Sequence, residues 1–269
     1  MDRLIFQSLA SGSSGNSYYI GTASRGLLID AGIGARTIRR RLKAIGLDFE
    51  NLWGVLVTHD HADHIRGVGT LAEMFHIPVY ATKMVHMGID RNYGAHPKIS
   101  MQNRRYVETD NTFSIADFAI TPFMVPHDSM DCVGYALEWN GIRFCIATDV
   151  GEPTDEIKRQ ISMADYLVIE ANHDKNMLEN GKYPVLLKKR IASSWGHLSN
   201  GVCAGLLAEN ATARLKHVFL CHLSKENNTP VVAYNTVREI LLKNNIIVGK
   251  DFQLSVLERT TASKLYELI

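Results

Sequence analysis

Between Thr58 and His64 the chain reads Thr-His-Asp-His-Ala-Asp-His, which places His59, His61, Asp63 and His64 within six positions. Imidazole nitrogens and carboxylate oxygens at this density are what a divalent metal site requires, and they are costly to bury for packing alone. His59 and His61 are two residues apart, so on an extended segment they point the same way and can grip one ion. Asp63 and His64 fall where the chain turns into the next predicted helix, aimed at a neighbouring point. The spacing therefore suits two adjacent metals. Ligand-type residues recur just past predicted strands at Val125-Pro126-His127-Asp128, Ala147-Thr148-Asp149 and Leu220-Cys221-His222. Each alone reads as a turn or capping group; together they can complete two coordination spheres.

The elements that must position these residues follow from hydrophobic periodicity. Short strands are predicted at Leu4–Leu9, Ser17–Ile20 and Gly26–Ile29, and a helix over Ala35–Ile45 ends at Gly46. The apolar run Trp53–Val57 is a buried strand that delivers the histidine-rich loop. A helix over Ile65–Phe75 and a strand at Val79–Ala81 follow. Strands are expected at Phe118–Val125, Val133–Trp139 and Ile142–Thr148, with Asn140-Gly141 as a hairpin signal. The second half alternates helices (Asp155–Ile161, Tyr183–Ser193, Asn200–Ala208, Pro230–Leu242) with strands (Tyr166–Ile169, His217–Cys221, Phe252–Leu257). His86–Tyr106 lacks periodicity and reads as a long functional or mobile loop. Two batches of strands with helices after each imply an α/β fold of two sheets packed face to face with helices outside. No linker divides the halves, so residues 1–269 read as a single domain.

Composition limits the function. Lys and Arg total 29 against 28 Asp and Glu, a formal charge of +1, with eleven histidines. The basic excess of a nonspecific nucleic-acid coat is missing, and the clusters at 36–43, 104–105 and 188–190 read as solvated helix faces. No apolar run approaches the roughly 20 residues that span a bilayer. The N-terminal heptapeptide Met1–Gln7 turns polar before a signal-type stretch can develop, and a cytoplasmic location without membrane attachment is expected. Cys132, Cys145, Cys203 and Cys221 form no CxxC pair, so neither a disulfide framework nor a cysteine zinc site is expected.

In order and strand-end context, His59, His61, Asp63, His64, His127, Asp149 and His222 resemble the metal motifs of the metallo-β-lactamase fold superfamily. The resemblance implies a four-layer αββα sandwich of two mixed β-sheets flanked by helices, and two divalent ions, Zn²⁺ or Mn²⁺. One ion would take His59, His61 and His127, the other Asp63, His64 and His222, with Asp149 bridging. Such ions, about 3.5 to 4 Å apart, carry a bridging hydroxide as nucleophile, which Asp63 would orient or deprotonate.

An aspartate at position 149, where β-lactamases of the superfamily carry Cys or Ser, disfavours antibiotic hydrolysis. His61, where flavodiiron oxidoreductases carry Glu, disfavours redox chemistry. Glu170-Ala171-Asn172-His173-Asp174 and Trp195-Gly196-His197-Leu198-Ser199-Asn200 resemble segments of tRNase Z enzymes, which implies that His197 contacts the scissile phosphate or protonates the leaving group. With Ser11–Ser17 and Cys221–Asn228, these segments are similar to the YycJ/WalJ-type branch, for which 5′-to-3′ exodeoxyribonuclease activity is known. The branch's proline near Cys132 is missing here. Asp149 and His222 are 73 positions apart (222 − 149), too few for a β-CASP domain. The expected function is a dinuclear phosphodiesterase acting on DNA ends, with Asp63 and His197 catalytic and His173, Ser13 and Asn16 toward the substrate. The Gly-Ser loop holding Ser13, Ser14 and Asn16 reads equally as a plain turn. The competing expectations are a small-molecule metallo-hydrolase (thioesterase or cyclic phosphodiesterase) and a metal-binding regulatory module without turnover.

Overall fold

The computed structural model describes residues 3–269; the first two residues of the N-terminal heptapeptide lie outside them. The strands are β1 (Leu4–Ala10), β2 (Ser17–Gly21), β3 (Gly26–Ile29), β4 (Leu52–Leu56), β5 (Val79–Ala81), β6 (Arg104–Tyr106), β7 (Phe113–Ile115), β8 (Phe118–Met124), β9 (Val133–Trp139), β10 (Ile142–Ala147), β11 (Tyr166–Glu170), β12 (His217–Cys221), β13 (Gln253–Val256) and β14 (Tyr266–Leu268). They form two seven-stranded mixed sheets, ordered β14-β1-β2-β3-β4-β5-β6 and β13-β12-β11-β10-β9-β8-β7. Helices are α1 (Ala35–Lys43), α2 (Ala62–Ile65), α3 (Val68–Phe75), α4 (Lys83–Arg91), α5 (Asp155–Met163), α6 (Lys175–Asn180), α7 (Val185–Ile191), α8 (Asn200–Asn210) and α9 (Pro230–Lys243). The chain divides into two compact units. One comprises the chain up to Pro122, Ser129–Val133 and Glu258–Ile269; the other comprises Phe123–Asp128 and Gly134–Leu257.

In the first unit β3, β4, β5 and β6 run parallel. Parallel strands of continuous apolar sequence are buried on both faces, and β3 and the Gly54–Leu56 end of β4 are fully buried. Helices α1, α3 and α4 supply Ile38, Leu42, Leu71, Val85 and Ile89 to one apolar core with Leu28, Val55 and Val79. Each such side chain contributes about 1.5 to 3 kcal/mol by leaving water. In the second unit β10, β11, β12 and β13 are likewise parallel, and β9 joins β10 through the Asn140-Gly141 turn. Both turn residues have positive φ, 47° and 81°, as a two-residue hairpin requires. Within each sheet the carboxyl ends of neighbouring parallel strands share one edge, so the loops after β3 and β4 gather at one edge of the first sheet, and those after β10, β11 and β12 at one edge of the second.

Three expectations need correction. The helix expected over Ile65–Phe75 is split into α2 and α3, because Gly67 N–H donates to the Ala31 carbonyl at 2.7 Å and a Cβ there would sit 2.6 Å from the Ile33 carbonyl. The segment expected as a loop from His86 to Tyr106 carries the end of α4, a short helical turn at Met101–Asn103 and edge strand β6. Thr82 caps α4 by accepting the Val85 N–H at 3.2 Å. The polar sequence of β6 fits its exposed edge. One member of each basic cluster has an acidic partner: Arg39 donates to Asp48 at 2.7 and 3.0 Å, Arg104 to Asp90 at 2.8 and 2.7 Å, and Arg190 to Asp128 at 3.0 Å. The Arg104 cluster lies on a strand rather than a helix.

Candidate active site

In the first unit the site begins with Asp30, which follows β3 in the left-handed region (φ 59°). Its fully buried carboxylate accepts the Thr58 backbone N–H (2.8 Å), the Thr58 hydroxyl (2.9 Å) and His64 Nδ1–H (2.7 Å). A carboxylate only accepts, so the His64 proton is fixed on Nδ1 and Nε2 keeps its lone pair. Thr58 Oγ1 also lies 3.1 Å from His59 Nδ1. The His59 ring stands 4.7 Å from that of His61 and 4.1 Å from that of His64, centroid to centroid. His59 and His64 are wholly buried, whereas His61 and Asp63 are half-buried. Asn16 is buried with its amide nitrogen 2.9 Å from His64 Nε2 and 3.4 Å from Asp63 Oδ2. Ser13 and Ser14 are exposed at the tip of the same loop. Gly32 lets the turn close: a Cβ there would lie 1.6 Å from the Asp63 carbonyl oxygen.

In the second unit Glu170, the last residue of β11, organises the arrangement. Its wholly buried Oε1 accepts from His197 Nδ1 (2.9 Å) and His222 Nδ1 (2.8 Å), while Oε2 accepts the backbone N–H groups of Val150 (2.9 Å) and Leu198 (3.1 Å). Burial alone would push this carboxyl up; the positive His197 ring and hydrogen bonds from His197 and His222 outweigh it and hold the pKa below the usual range. Burial conversely disfavours the charged His197 ring, and Glu170 and then Asp149 overcome that and raise its pKa above the ordinary histidine value. Asp149 and His222 both sit in the left-handed region, φ 56° and 53°. His127 Nδ1 donates to the Gly196 carbonyl at 3.0 Å. Its Nε2 lies 3.7 Å from Asp149 Oδ1, and His222 Nδ1 is 3.4 Å from the same oxygen.

The donor set fits divalent metal. His64, His127 and His222 each give the Nδ1 proton to a carboxylate or carbonyl, the arrangement that turns Nε2 into a ligand and orients the ring. Asp149, Glu170, His197 and His222 bring one potential ligand atom each within 4.8 Å of one another. Both Glu170 oxygens are already occupied by four donors, so Glu170 is suited to hold the His197 and His222 rings rather than to bind a metal itself. Asp30, Thr58 and Glu170, which hydrogen-bond the candidate site's histidines, are the residues that sequence reasoning left unassigned. A signal existed for all three, since Asp30, Thr58 and Glu170 each directly follow a predicted strand.

Beside His197 the second unit carries a cavity of about 630 Å³, lined by His173, Lys175, Leu178, Lys188, Lys189 and Val202 among others. Its lining includes Gly151, two residues past Asp149, and Ser199, whose hydroxyl caps α8 by accepting the Val202 N–H at 3.3 Å. His173 is buried, and burial lowers its pKa to about 4.

Residues 25–222 match the family model described as the beta-lactamase superfamily domain. The chain belongs to the beta-lactamase superfamily. Superfamily relatives include exodeoxyribonuclease YycJ of Bacillus anthracis, 35% identical over 251 residues that cover 93% of this chain and 94% of the relative. Exodeoxyribonuclease WalJ of Streptococcus pneumoniae is 36% identical over 260 residues, 97% of this chain and 96% of that one. Among solved structures, the metallo-beta-lactamase fold protein YhfI from Bacillus subtilis superposes with a TM-score of 0.72 at 15% identity, covering 99% of this chain and 100% of YhfI. The superfamily fold, the YycJ/WalJ branch and the hydrolase class expected from the sequence are thereby shown.

Proposed function

We propose that this superfamily member is a dinuclear metal-dependent exodeoxyribonuclease acting on DNA ends in the cytoplasm, and that residues 1–269 work as one domain. The names of its relatives support the substrate class, and the family match spans residues of both units. His59, His61 and His127 would hold one ion, Asp63, His64 and His222 the other, and Asp149 both. The set contains imidazole and carboxylate only, which Zn²⁺ and Mn²⁺ both accept. When bound, the ions supply an activated water as nucleophile and polarise the phosphodiester.

The observation that carries the reading is the single buried carboxylate of Glu170, which holds the ligand His222 and the non-ligand His197 side by side. A metal-binding module without turnover has no use for His197 beside the ligands with its pKa raised. With its pKa raised, the ring holds a proton more readily than a free histidine, and it can give that proton to the leaving oxygen as the P–O bond breaks. Asp63 is half-buried, and its Oδ2 takes a hydrogen bond from Asn16. There it can orient the attacking water and take up its proton. The four cysteines are buried free thiols, and among the described residues no helix is long and apolar enough to cross a membrane.

The test is digestion of end-labelled single- and double-stranded DNA by Mn²⁺- or Zn²⁺-loaded protein. Stepwise shortening that disappears in Asp63→Ala supports the reading. Intact ends, with wild type and Asp63→Ala behaving alike, would remove it. The cavity, sized for one small ligand, also favours a second reading as a small-molecule phosphodiesterase. Cyclic nucleotides and acyl-thioesters assayed in parallel decide between the two.

A further inference from the structure

The cavity beside His197 has a composition that the metal chemistry does not require. Lys175, Lys188 and Lys189 face one carboxylate, Glu179, so the four charged side chains sum to +2 (3 − 1). Leu178, Leu198 and Val202 provide an apolar wall, with Leu178 and Leu198 buried to 3% and 2% exposure. His173 lines the same space at 4% exposure, and its Nδ1 is buried without a hydrogen-bond partner among the described residues. Buried polar atoms are nearly always satisfied, so an unsatisfied imidazole in a cavity wall marks a partner supplied from outside the chain. A volume of about 630 Å³ lies within the roughly 300 to 1,000 Å³ of small-ligand pockets. It accommodates one nucleotide and not a tract.

Taken together, a cationic rim, an apolar wall and a hydrogen-bonding imidazole describe a ligand with an anionic group, a flat apolar body and polar edges. We propose that this cavity is the subsite for a single nucleotide, the one released at each turnover, bound as its monophosphate. Lys188 and Lys189 hold the phosphate, Leu178 and Val202 cover the sugar and base, and His173 hydrogen-bonds a polar edge. His197 lines both this cavity and the ligand cluster, so the pocketed nucleotide lies next to the bond that is cut. The inference rests on the phosphodiesterase reading and narrows it: the enzyme removes nucleotides singly and is inhibited by its own product.

The experiment is calorimetric titration of Mn²⁺-loaded protein with deoxyadenosine 5′-monophosphate, with deoxyadenosine alone and inorganic phosphate as parallel arms. The expected result is one bound equivalent, with the monophosphate tighter than either fragment. Affinity should fall at least tenfold in the charge-reversed Lys188→Glu/Lys189→Glu variant and in Val202→Trp, which fills the cavity from an exposed position on α8. Circular dichroism confirms that both variants fold. Monophosphate binding that is unaffected by both variants overturns the subsite, as does absent binding by a protein that digests DNA. Binding that depends on the cavity in a protein that does not digest DNA supports the subsite while the nuclease reading fails.

Discussion

Glu170 makes four hydrogen bonds with one carboxylate and so concentrates the site's dependence on a single residue. Its Glu170→Gln variant keeps the shape but loses the charge and half the acceptor capacity. Replacing a group that orients a metal ligand typically reduces metal affinity or activity 10- to 100-fold. That loss is expected here, with the fold retained, and elemental analysis of bound metal together with the digestion rate would show it; unchanged values for both would count against the assigned role. His197→Gln is expected to lower the turnover rate 10²- to 10⁴-fold without loss of bound metal. In the proposed role of His197 as proton donor, wild-type activity should decline as pH rises through its raised pKa, and the variant should lack that decline. A pH profile common to both proteins would exclude His197 as the proton donor. His173 has a pKa of about 4 in the fold against roughly 6.5 unfolded. The unfolded chain therefore takes up the proton first on acidification. The stability due to a neutral His173 is complete above pH 6.5 and is lost as pH falls toward 4, by about 2 kcal/mol at pH 5. Chemical denaturation of wild type and His173→Asn in chelator, at pH 7 and pH 5, should show wild type losing that much more.

At the scale of elements, the loops after the parallel strands were legible because a buried apolar run that ends in a polar residue announces both the strand and its functional end. Trp53–Val57 before His59 and Ile142–Ala147 before Asp149 are the clear cases. What was hidden is of two kinds. Edge strand β6, Arg104–Tyr106, has no apolar alternation to read because its residues are exposed or half-buried. The break between α2 and α3 depends on Gly67 meeting Ala31, a contact between residues 36 positions apart (67 − 31) that no local periodicity encodes. The close approach at Gly32 yields a contrast between neighbours. Gly32→Ala would force the Asp63 backbone away and is expected to abolish metal retention or folding. Gly34→Ala, whose Cβ would meet nothing within 4 Å, should shift stability by less than about 1 kcal/mol. Thermal melts with metal analysis of the two variants check this; similar behaviour would show that the turn tolerates displacement.

For the whole molecule, the histidines explain why so much was readable. The proposed ligand set, spread from His59 to His222, constrains order and context along most of the chain, whereas Asp30 and Glu170 act only through other residues and carry no spacing signature of their own. If the ions bind as proposed, they also contribute to folding. A ligand at a hundred times its dissociation constant adds about 2.7 kcal/mol per site. Chelation should therefore lower the thermal midpoint, and added Mn²⁺ or Zn²⁺ should restore it; a midpoint indifferent to both would contradict a resident metal.

Asp30, Asp149 and His222 all adopt left-handed backbone, a conformation that costs a residue with a side chain roughly 1 to 2 kcal/mol and glycine almost nothing. At Asp30 three buried hydrogen bonds to its carboxylate serve the fold as well, but at Asp149 and His222 fold and chemistry make opposite demands. Under selection for expression or heat resistance alone, a library of this gene should enrich glycine or asparagine there, and stabilising redesign that ignores activity would erase the site while improving the scaffold.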